Sequence, residues 1–263
     1  MSVVEAIILG IIQGLTEFLP VSSSGHLELA QALIGNQNNA ERNLLFTIVV
    51  HGATALATLV VFRADVWSIV RGLFQFTNNE SAQFSLRIVL SIIPAALIGF
   101  FFEDTISSQF FGNTVLVGLM LWITAGLLYI ADKPTQNRTN VSLSNAWWIG
   151  IAQAFAILPG ISRSGATIAI SLLLGVARDR AARFSFLMVV PLIFGSMAKK
   201  IIYGGLEQEV LNLTPILAGF VAAFFSGYLA CLWMIALVKR SQLRYFAYYC
   251  ALVGTIALMT SHV

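Results

Sequence analysis

A polar stretch interrupts the second half of the chain and reads Pro159-Gly160-Ile161-Ser162-Arg163-Ser164-Gly165-Ala166-Thr167. It lies inside an apolar segment of the kind that enters lipid, where a cation costs at least about 2 to 3 kcal/mol and marks a functional site. The Pro-Gly step ends a helix and frees backbone N–H groups beside Arg163. A fixed guanidinium, three hydroxyls and open helix-start amides together indicate a site for a phosphate-type anion.

The composition is that of a helical membrane protein. Of the 263 residues, 58% are hydrophobic and only 10% are charged, whereas soluble domains carry about 25% charged residues. The net charge of +3 is too small to indicate nucleic-acid binding. The two cysteines lie in apolar runs and offer neither a disulfide framework nor a metal-binding spacing. We therefore expect an all-α, polytopic membrane protein with no nucleic-acid partner.

Broken and continuous apolar segments alternate along the chain. Residues 3–33 and 146–175 are each apolar but carry a polar break at the centre. Each half of these segments is shorter than the ~20 residues that span a bilayer, which favours two re-entrant helix hairpins. Residues 65–76 have apolar side chains at helical spacing and predict an interfacial amphipathic helix. Continuous runs long enough to span lie at about 44–62, 84–102, 114–131, 183–204, 213–238 and 244–262.

A shift of 140 residues superposes the two halves of the chain. It places Gly10-Ile11-Ile12-Gln13 on Gly150-Ile151-Ala152-Gln153, and Ser22-Ser23-Ser24-Gly25 on Ser162-Arg163-Ser164-Gly165. A constant offset through the polar break and its flanks is unlike chance composition. We interpret it as an internal duplication.

The duplication predicts one integral-membrane domain over residues 1–263. Repeat 1 covers about 1–131, a polar linker follows at 132–145, and repeat 2 covers about 146–263. Each repeat contains one re-entrant hairpin and three transmembrane helices. Because three is odd, the second copy enters from the opposite side of the membrane, which gives an inverted repeat with a shared site where the broken helices meet.

Basic residues predict the orientation of the protein. The positive-inside rule makes the richer side cytoplasmic and places both termini on the outer, periplasmic side. The poorer side has Arg42, Lys199 and Lys200. The richer side has Arg63, Arg71, Arg87, Lys133, Arg138, Arg178, Arg180, Arg183, Lys239, Arg240 and Arg244.

The first broken segment supplies further candidate residues. Glu17 lies one turn after Gln13 on the same face of a helix. A carboxylate at this depth needs a partner, such as a metal ion, the buried hydroxyls or Arg163, and a plain ion pair with Arg163 is the structural alternative. In Ser22-Ser23-Ser24-Gly25-His26, the histidine could act as a nucleophile or as the base that activates a serine. A lone histidine is, however, more often structural.

Arg163 is the strongest candidate in the chain. Its planar guanidinium can hold two phosphate oxygens and stabilise the charge that builds up during P–O cleavage. Ser162, Ser164 and Thr167 would add donors around the same group. His51, in the middle of a span, is a weaker candidate that could equally be a hydrogen-bonded packing residue.

At these residues the sequence resembles the BacA/UppP family of undecaprenyl-diphosphate phosphatases. Gln13-Gly14-Leu15-Thr16-Glu17 fits the family motif Glu/Gln-x-x-x-Glu, and the stretch 159–167 fits the motif Pro-Gly-x-Ser-Arg-Ser-x-x-Thr. Ser22-Ser23-Ser24-Gly25-His26 matches the segment after the first motif. The likeness covers essentially the whole chain.

The resemblance implies an enzyme of the bacterial inner membrane. It would remove the terminal phosphate of undecaprenyl (C55) diphosphate, recycle the lipid carrier for peptidoglycan synthesis and confer bacitracin resistance. Its partners would be this lipid substrate and the membrane lipids, and its cofactor a divalent cation, Mg²⁺ or Ca²⁺.

The family motifs also imply residue roles. Glu17 would be the essential acidic residue and metal ligand, Arg163 a diphosphate-binding catalytic residue, and Ser23 or His26 the nucleophile. Many members have a second glutamate where this chain has Gln13, whose neutral amide could instead donate to a phosphate oxygen or coordinate through its carbonyl. The substrate-binding set would comprise Gln13, Ser22, Ser24, Ser162, Ser164 and Thr167.

Two other functions fit parts of the sequence. Inverted repeats with broken helices are common in carriers, so the chain could be a transporter or flippase for a polyprenyl phosphate lipid. Ser24-Gly25-His26 and Ser162-Arg163 echo the phosphatidic-acid type of membrane phosphatase, but the next histidine after Arg163 is His262. The nucleophile, the metal, the lipid chain length, the side of substrate entry and the oligomeric state, a homodimer included, stay open at this point.

Overall fold

The computed structural model describes residues 1–34, 40–75, 77, 79–110, 112–133, 139–203 and 213–260. In these ranges the chain forms α-helices and short connections, with one isolated β-bridge between Thr139 and Val176. The prediction of an all-α protein is confirmed. The helices are α1 Val3–Phe18, α2 Ser23–Ile34, α3 Ala40–Val61, α4 Arg63–Leu73, α5 Glu80–Phe110, α6 Thr114–Ala131, α7 Leu143–Phe155, α8 Arg163–Leu173, α9 Arg178–Tyr203, α10 Leu213–Lys239 and α11 Leu243–Thr260.

Several sequence-based assignments fall partly beyond these ranges. Residues 134–138 of the predicted linker lie outside the described part of the chain, and so does His262. The same holds for Phe76, the end of the predicted amphipathic helix, and for the side chains of Arg42 and Lys200.

In the described part of the chain, five helices are long and apolar enough to cross a membrane: α5, α6, α9, α10 and α11. A sixth span is counted only when the helices Leu45–Val61 and Arg63–Leu73 are taken as one broken span. The angle of the bend between these two helices is 80°. The predicted run at 44–62 therefore ends at a sharp bend. The predicted amphipathic helix at 65–76 is confirmed as a helix but occupies 63–73, and the run at 84–102 extends to residues 80–110 in α5.

Each broken segment consists of two short helices. The helix α1 has 16 residues and begins with a capping box, in which the Ser2 hydroxyl accepts from the Glu5 N–H and the Glu5 carboxylate accepts from the Ser2 N–H. It ends two residues before Pro20, because a proline ring disfavours helical backbone in the residue before it. The helices α2, α7 and α8 have 12, 13 and 11 residues. At 1.5 Å per residue none of the four spans the ~30 Å hydrocarbon core.

Small residues allow the helices to approach closely. The α1 helix packs on α10, α7 packs on α5, and α6 packs on α11. At the last of these contacts a Cβ on Gly118 would lie 2.9 Å from the Gly254 carbonyl oxygen, and a Cβ on Gly254 would lie 2.8 Å from the Gly118 oxygen. Backbones this close are typical of packing between membrane helices, where small residues maximise van der Waals contact.

Asp132 joins three helices at one end of the bundle. Its carboxylate accepts from the backbone N–H groups of Leu243 at 3.1 Å and Arg244 at 3.3 Å, which begin α11. It also lies 3.7 Å from Nη1 of Arg178, the first residue of α9. A carboxylate at a helix start compensates both the unpaired N–H groups and the positive end of the dipole.

The contact between α1 and α10 gives a stability test. A Cβ on Gly14 would lie 2.6 Å from the Ala223 oxygen and 2.7 Å from the Gly227 nitrogen, so both neighbours are rigid backbone. We expect Gly14→Ala to lower the free energy of unfolding by about 1–3 kcal/mol through overpacking. Gly126→Ala on α6 is the control, because a Cβ there meets nothing within 4 Å.

Thermal unfolding in detergent, followed by size-exclusion fluorescence, would measure both variants. The unfolding temperature of Gly126→Ala should equal or slightly exceed that of the wild type, because alanine favours helix more than glycine does. Equal midpoints for Gly14→Ala and the wild type would contradict the close approach of α1 to α10.

Candidate active site

Glu17 is the centre of a buried polar cluster. Only 4% of its side chain is exposed, and its Oε1 forms an ion pair with Nη2 of Arg163. Its Oε2 accepts hydrogen bonds from Ser23 Oγ at 2.8 Å and from Gln13 Nε2 at 2.9 Å. The structure thus brings together the acidic, hydroxyl and guanidinium groups that the two sequence motifs contain. These residues come from α1, from the start of α2 and from the start of α8.

The two breaks have the same local geometry. In the first, Ser22 Oγ accepts from the Gly25 N–H at 3.3 Å and lies 3.4 Å from Ser24 Oγ. In the second, Ser162 Oγ accepts from the Gly165 N–H at 3.1 Å and lies 3.3 Å from Ser164 Oγ. A serine therefore caps the helix that follows each break, which satisfies one of its free N–H groups.

The two breaks also touch each other. A Cβ on Gly25 would lie 3.3 Å from the Gly160 Cα, and a Cβ on Gly165 would lie 3.2 Å from the Pro20 Cβ. Ser164 Oγ donates to the Leu19 carbonyl at 3.2 Å. These contacts are reciprocal, because the shift of 140 residues relates Gly25 to Gly165 and Pro20 to Gly160. The two breaks are thus in direct contact.

The backbone is unusual at both breaks. Gly160 has φ +95°, a region that glycine enters without steric cost, and Ser22 has φ +71°. A non-glycine residue in this region is strained by about 1–2 kcal/mol, and such residues concentrate at functional sites. The left-handed backbone conformation of Ser22 leads directly into α2. Ser23 is therefore the first residue of this helix, and its hydroxyl reaches Glu17.

His26 is oriented toward α11. Its Nδ1 lies 2.9 Å from the Ser22 carbonyl oxygen, and its Nε2 lies 2.8 Å from the Tyr249 hydroxyl. The two rings are also stacked, with centroids 5.6 Å apart. Both ring nitrogens are therefore engaged by groups other than Glu17 and Ser23.

His51 is the histidine that faces the carboxylate. Its Nδ1 lies 2.8 Å from the Thr47 carbonyl oxygen, so this nitrogen must carry a proton. Its Nε2 lies 3.8 Å from Glu17 Oε2. The sequence showed His51 only as an isolated histidine in a span, and the fold places it beside the motif glutamate.

A narrow cavity lies against the Glu17–Arg163 pair. Its free volume is about 10 Å³, which is about what one water molecule needs. Apolar side chains from α1 and α9 form part of its wall. The polar residues that line it are Glu17, Thr54, Thr58, Arg163, Ser164, Thr167 and Ser185.

Three of these polar residues were not predicted. Thr54 and Thr58 donate to backbone carbonyls of their own helix at 2.8 and 3.0 Å, which is the usual way a helical hydroxyl is satisfied. Ser185 is 4% exposed, and its Oγ has no hydrogen-bond partner among the residues that the structure describes. Ser185 therefore presents a free buried hydroxyl at the cavity that contains Glu17 and Arg163.

The donor set for a metal ion is small. In the described ranges no three His, Cys, Asp or Glu side chains come together as a metal-binding group. Beside Glu17, however, the Oε1 of the fully buried Gln13 finds no partner in the described part of the chain. One carboxylate and one amide oxygen suit a hard cation that takes its remaining ligands from water and substrate phosphates, as Mg²⁺ does.

The fold and the cluster define a polytopic helical membrane protein with a buried polar cluster around one ion pair. The chain belongs to the BacA family: the family described as Bacitracin resistance protein BacA matches residues 6–256. Similar proteins named undecaprenyl-diphosphatase, a phosphatase, occur in several organisms. The one from Christiangramia forsetii is 55% identical over 100% of this chain and 99% of its own. Those from Bacteroides fragilis and Methanobrevibacter smithii are 48% and 36% identical, over 98% and 99% of this chain and 97% and 98% of theirs.

A double-mutant cycle tests the Glu17–Arg163 pair. Removing one partner leaves the other charge buried, and we expect Glu17→Gln and Arg163→Gln each to lower the free energy of unfolding by about 3–5 kcal/mol. The double variant should lose less free energy of unfolding than the two single variants lose in sum, and the difference, which is the coupling energy, should exceed about 1 kcal/mol. Equilibrium unfolding in mixed micelles of detergent and dodecyl sulfate would give these values.

The pair between Asp65 and Arg183 is the matched control. Its side chains are 31% and 43% exposed and its N–O distance is 2.7 Å. An ion pair this exposed contributes at most about 1 kcal/mol. Equal coupling in the two cycles would show that the Glu17–Arg163 pair is not held in a low-dielectric environment.

Proposed function

We propose that this protein is an inner-membrane phosphatase that hydrolyses undecaprenyl diphosphate to undecaprenyl phosphate and inorganic phosphate. The observation that carries the proposal is the hydrogen bond from Ser23 Oγ to Glu17 beside the guanidinium of Arg163. A hydroxyl, a base and a fixed cation are the groups that phosphoryl transfer requires. The names of the relatives support this substrate. The product would return as the lipid carrier for peptidoglycan synthesis, and an abundant enzyme would confer bacitracin resistance.

Arg163 binds the diphosphate in this scheme. Its guanidinium exchanges part of its contact with Glu17 for two phosphate oxygens, which it can hold in a bidentate manner. The free N–H groups at the starts of α2 and α8 add positive partial charge at the same place. Ser162, Ser164 and Thr167 surround this group from α8, and Ser22 and Ser24 surround it from the first break.

Ser23 is the nucleophile, because its hydroxyl already donates to a carboxylate. Ser23 Oγ attacks the terminal phosphorus while its proton passes to Glu17, and the bond from this phosphorus to the bridging oxygen breaks. Undecaprenyl phosphate leaves and takes up the proton from Glu17 or from solvent. Water then cleaves the phosphoserine: its oxygen leaves in inorganic phosphate, and one of its protons restores the Ser23 hydroxyl. Both ring nitrogens of His26 are engaged elsewhere, which makes it the weaker alternative.

A divalent cation, Mg²⁺ or Ca²⁺, fits the same cluster. Glu17 and the unpartnered Oε1 of Gln13 are the residues that would hold it, together with oxygens of the diphosphate. When bound, the cation supplies positive charge that offsets the negative charge of the substrate.

We also infer that the fold is an inverted repeat of two re-entrant hairpins, each followed by three spans. Two facts support this. The breaks touch through reciprocal contacts, and the helix pairs exchange partners between the halves, since α1 packs on α10 as α7 packs on α5. The arginine-rich helix ends would face the cytoplasm and both termini the periplasm.

Phosphate release from undecaprenyl diphosphate by the purified chain in detergent tests the proposal. We expect release to need a divalent cation and to stop with EDTA. Glu17→Ala, Ser23→Ala and Arg163→Ala should each lower kcat at least about 10²-fold, because each removes a group that acts in the transition state. Ser171→Ala is the control, since this buried serine of α8 donates to the Thr167 carbonyl and does not line the cavity.

The outcomes of this assay separate the alternatives. Near-normal release by a folded Arg163→Ala or Ser23→Ala protein would overturn the mechanism. A folded wild type that binds the lipid but releases no phosphate would favour a carrier or flippase, a function that the paired broken helices also support.

His51 gives a second prediction on the same assay. His51→Gln should lower kcat about 10-fold or more and shift the pH profile, because its Nε2 faces the carboxylate that takes the proton. His26→Gln should lower kcat less and leave the pH profile in place, because its partners are the Ser22 carbonyl and Tyr249. The opposite order of the two variants would assign the proton-handling role to His26.

A further inference from the structure

A second polar cavity lies at the arginine-rich end of the bundle. It has a free volume of about 270 Å³ and opens between the starts of α5 and α9, with α4 and the segment before α7 completing its wall. We name it the arginine cleft. It shares no lining residue with the cavity beside Glu17. Its lining residues are Ser68, Ile69, Glu80, Ser81, Gln83, Phe84, Arg87, Asn140, Val141, Arg180 and Arg183.

The arginine cleft carries an excess of positive charge. Three arginines line it, Arg87, Arg180 and Arg183, against one carboxylate, that of Glu80. Asp65 compensates Arg183 from just outside through an ion pair of 2.7 Å. Even with Asp65 included, cations exceed carboxylates. A concave, partly apolar wall concentrates the positive electrostatic potential of these arginines, and this potential attracts anions.

Two of the arginines have donors without an acceptor among the residues that the structure describes. The Nε atoms of Arg87 and Arg183 are buried, and neither finds an acceptor in the described ranges of the chain. Buried donors of a charged group are normally satisfied, so each such group calls for an explanation. An acceptor that occupies the cleft provides one.

The guanidinium groups are held in place before any ligand arrives. Nη2 of Arg87 donates to Gln83 Oε1 at 3.1 Å. The guanidinium of Arg183 lies over the Phe84 ring at 5.1 Å, and Phe84 packs edge-on against Phe184 at 5.8 Å. A fixed planar fork with free N–H groups is the geometry that recognises phosphate oxygens.

We propose that the arginine cleft binds a phosphate group at the membrane boundary. The group belongs either to the headgroup of an anionic phospholipid or to free inorganic phosphate, and both present the same oxygens to Arg87 and Arg183. The exposed Arg180 at the rim adds a third cation. This binding does not depend on the hydrolytic activity, because no residue of the cleft belongs to the cluster around Glu17.

The test measures binding to the purified full chain in detergent that contains no phospholipid. The probes are phosphatidylglycerol, phosphatidylcholine and inorganic phosphate at constant ionic strength, followed by native mass spectrometry for the lipids and by the shift in unfolding temperature for all three. Wild type should bind phosphatidylglycerol or inorganic phosphate and discriminate against phosphatidylcholine. Arg87→Gln and Arg180→Gln should each weaken that binding at least threefold.

Two controls separate this site from other effects of charge. Arg71→Gln removes one cation from the exposed end of α4 without touching the cleft and should bind as wild type does. Arg163→Ala removes the cation beside Glu17, so the binding that this variant retains belongs to the arginine cleft and not to the cluster around Glu17. If Arg87→Gln loses binding of phosphatidylglycerol alone, the ligand of the cleft is a lipid headgroup. If it loses binding of inorganic phosphate, the cleft is a site for the free anion.

Either of two results would overturn the proposal. One is equal binding by Arg87→Gln, Arg180→Gln and Arg71→Gln. The other is the absence of binding of both anionic probes to the wild type.

Discussion

The ion pair between Glu17 and Arg163 is the constraint on which the rest of the structure depends. Its members lie in different halves of the chain, and each would be costly to bury in an apolar bundle without the other. Their contact therefore fixes where the two breaks meet. The breaks in turn fix the rotation of the four short helices on either side of them, α1, α2, α7 and α8. The hydrogen bonds of Ser23 and Gln13 satisfy the second oxygen of the carboxylate, Oε2. A buried pair of this kind is compatible with stability only because these neighbours complete it.

Close helix packing makes this arrangement possible. Broken helices leave free N–H groups at membrane depth, and these are tolerated only where protein covers them. Glycines on α1, α6, α10 and α11 bring the surrounding backbones near enough to provide that cover. Thr124 contributes directly, since its hydroxyl accepts from the Ser162 N–H and donates to the Gly160 carbonyl. The second break is thereby attached to α6 as well as to the first break.

Much of this site could be predicted from the sequence, and the reason is chemical. Glu17, Ser23 and Arg163 are polar residues in apolar surroundings, so hydropathy alone singles them out. Thr54, Thr58 and Ser185 could not be found in this way, because a hydroxyl that bonds its own helix is common in any span.

The remaining differences have geometric causes. Hydropathy gives the length of a span but not its rotation or bends. The orientation of His51 toward Glu17, the turn of His26 to Tyr249 and the 80° bend before α4 therefore required the three-dimensional fold.

The two breaks, related by a shift of 140 residues, carry different polar residues at equivalent positions. Ser23 and Arg163 occupy equivalent positions under the shift of 140 residues, so one copy supplies the hydroxyl and the other the cation. The equivalent of Glu17 is Ile157, whose side chain cannot accept a hydrogen bond. Gln153, the copy of Gln13, is accordingly buried with neither amide atom paired to any described residue. Under the proposed duplication, the two copies therefore supply different groups, and a single chain forms one polar cluster around Glu17 instead of two.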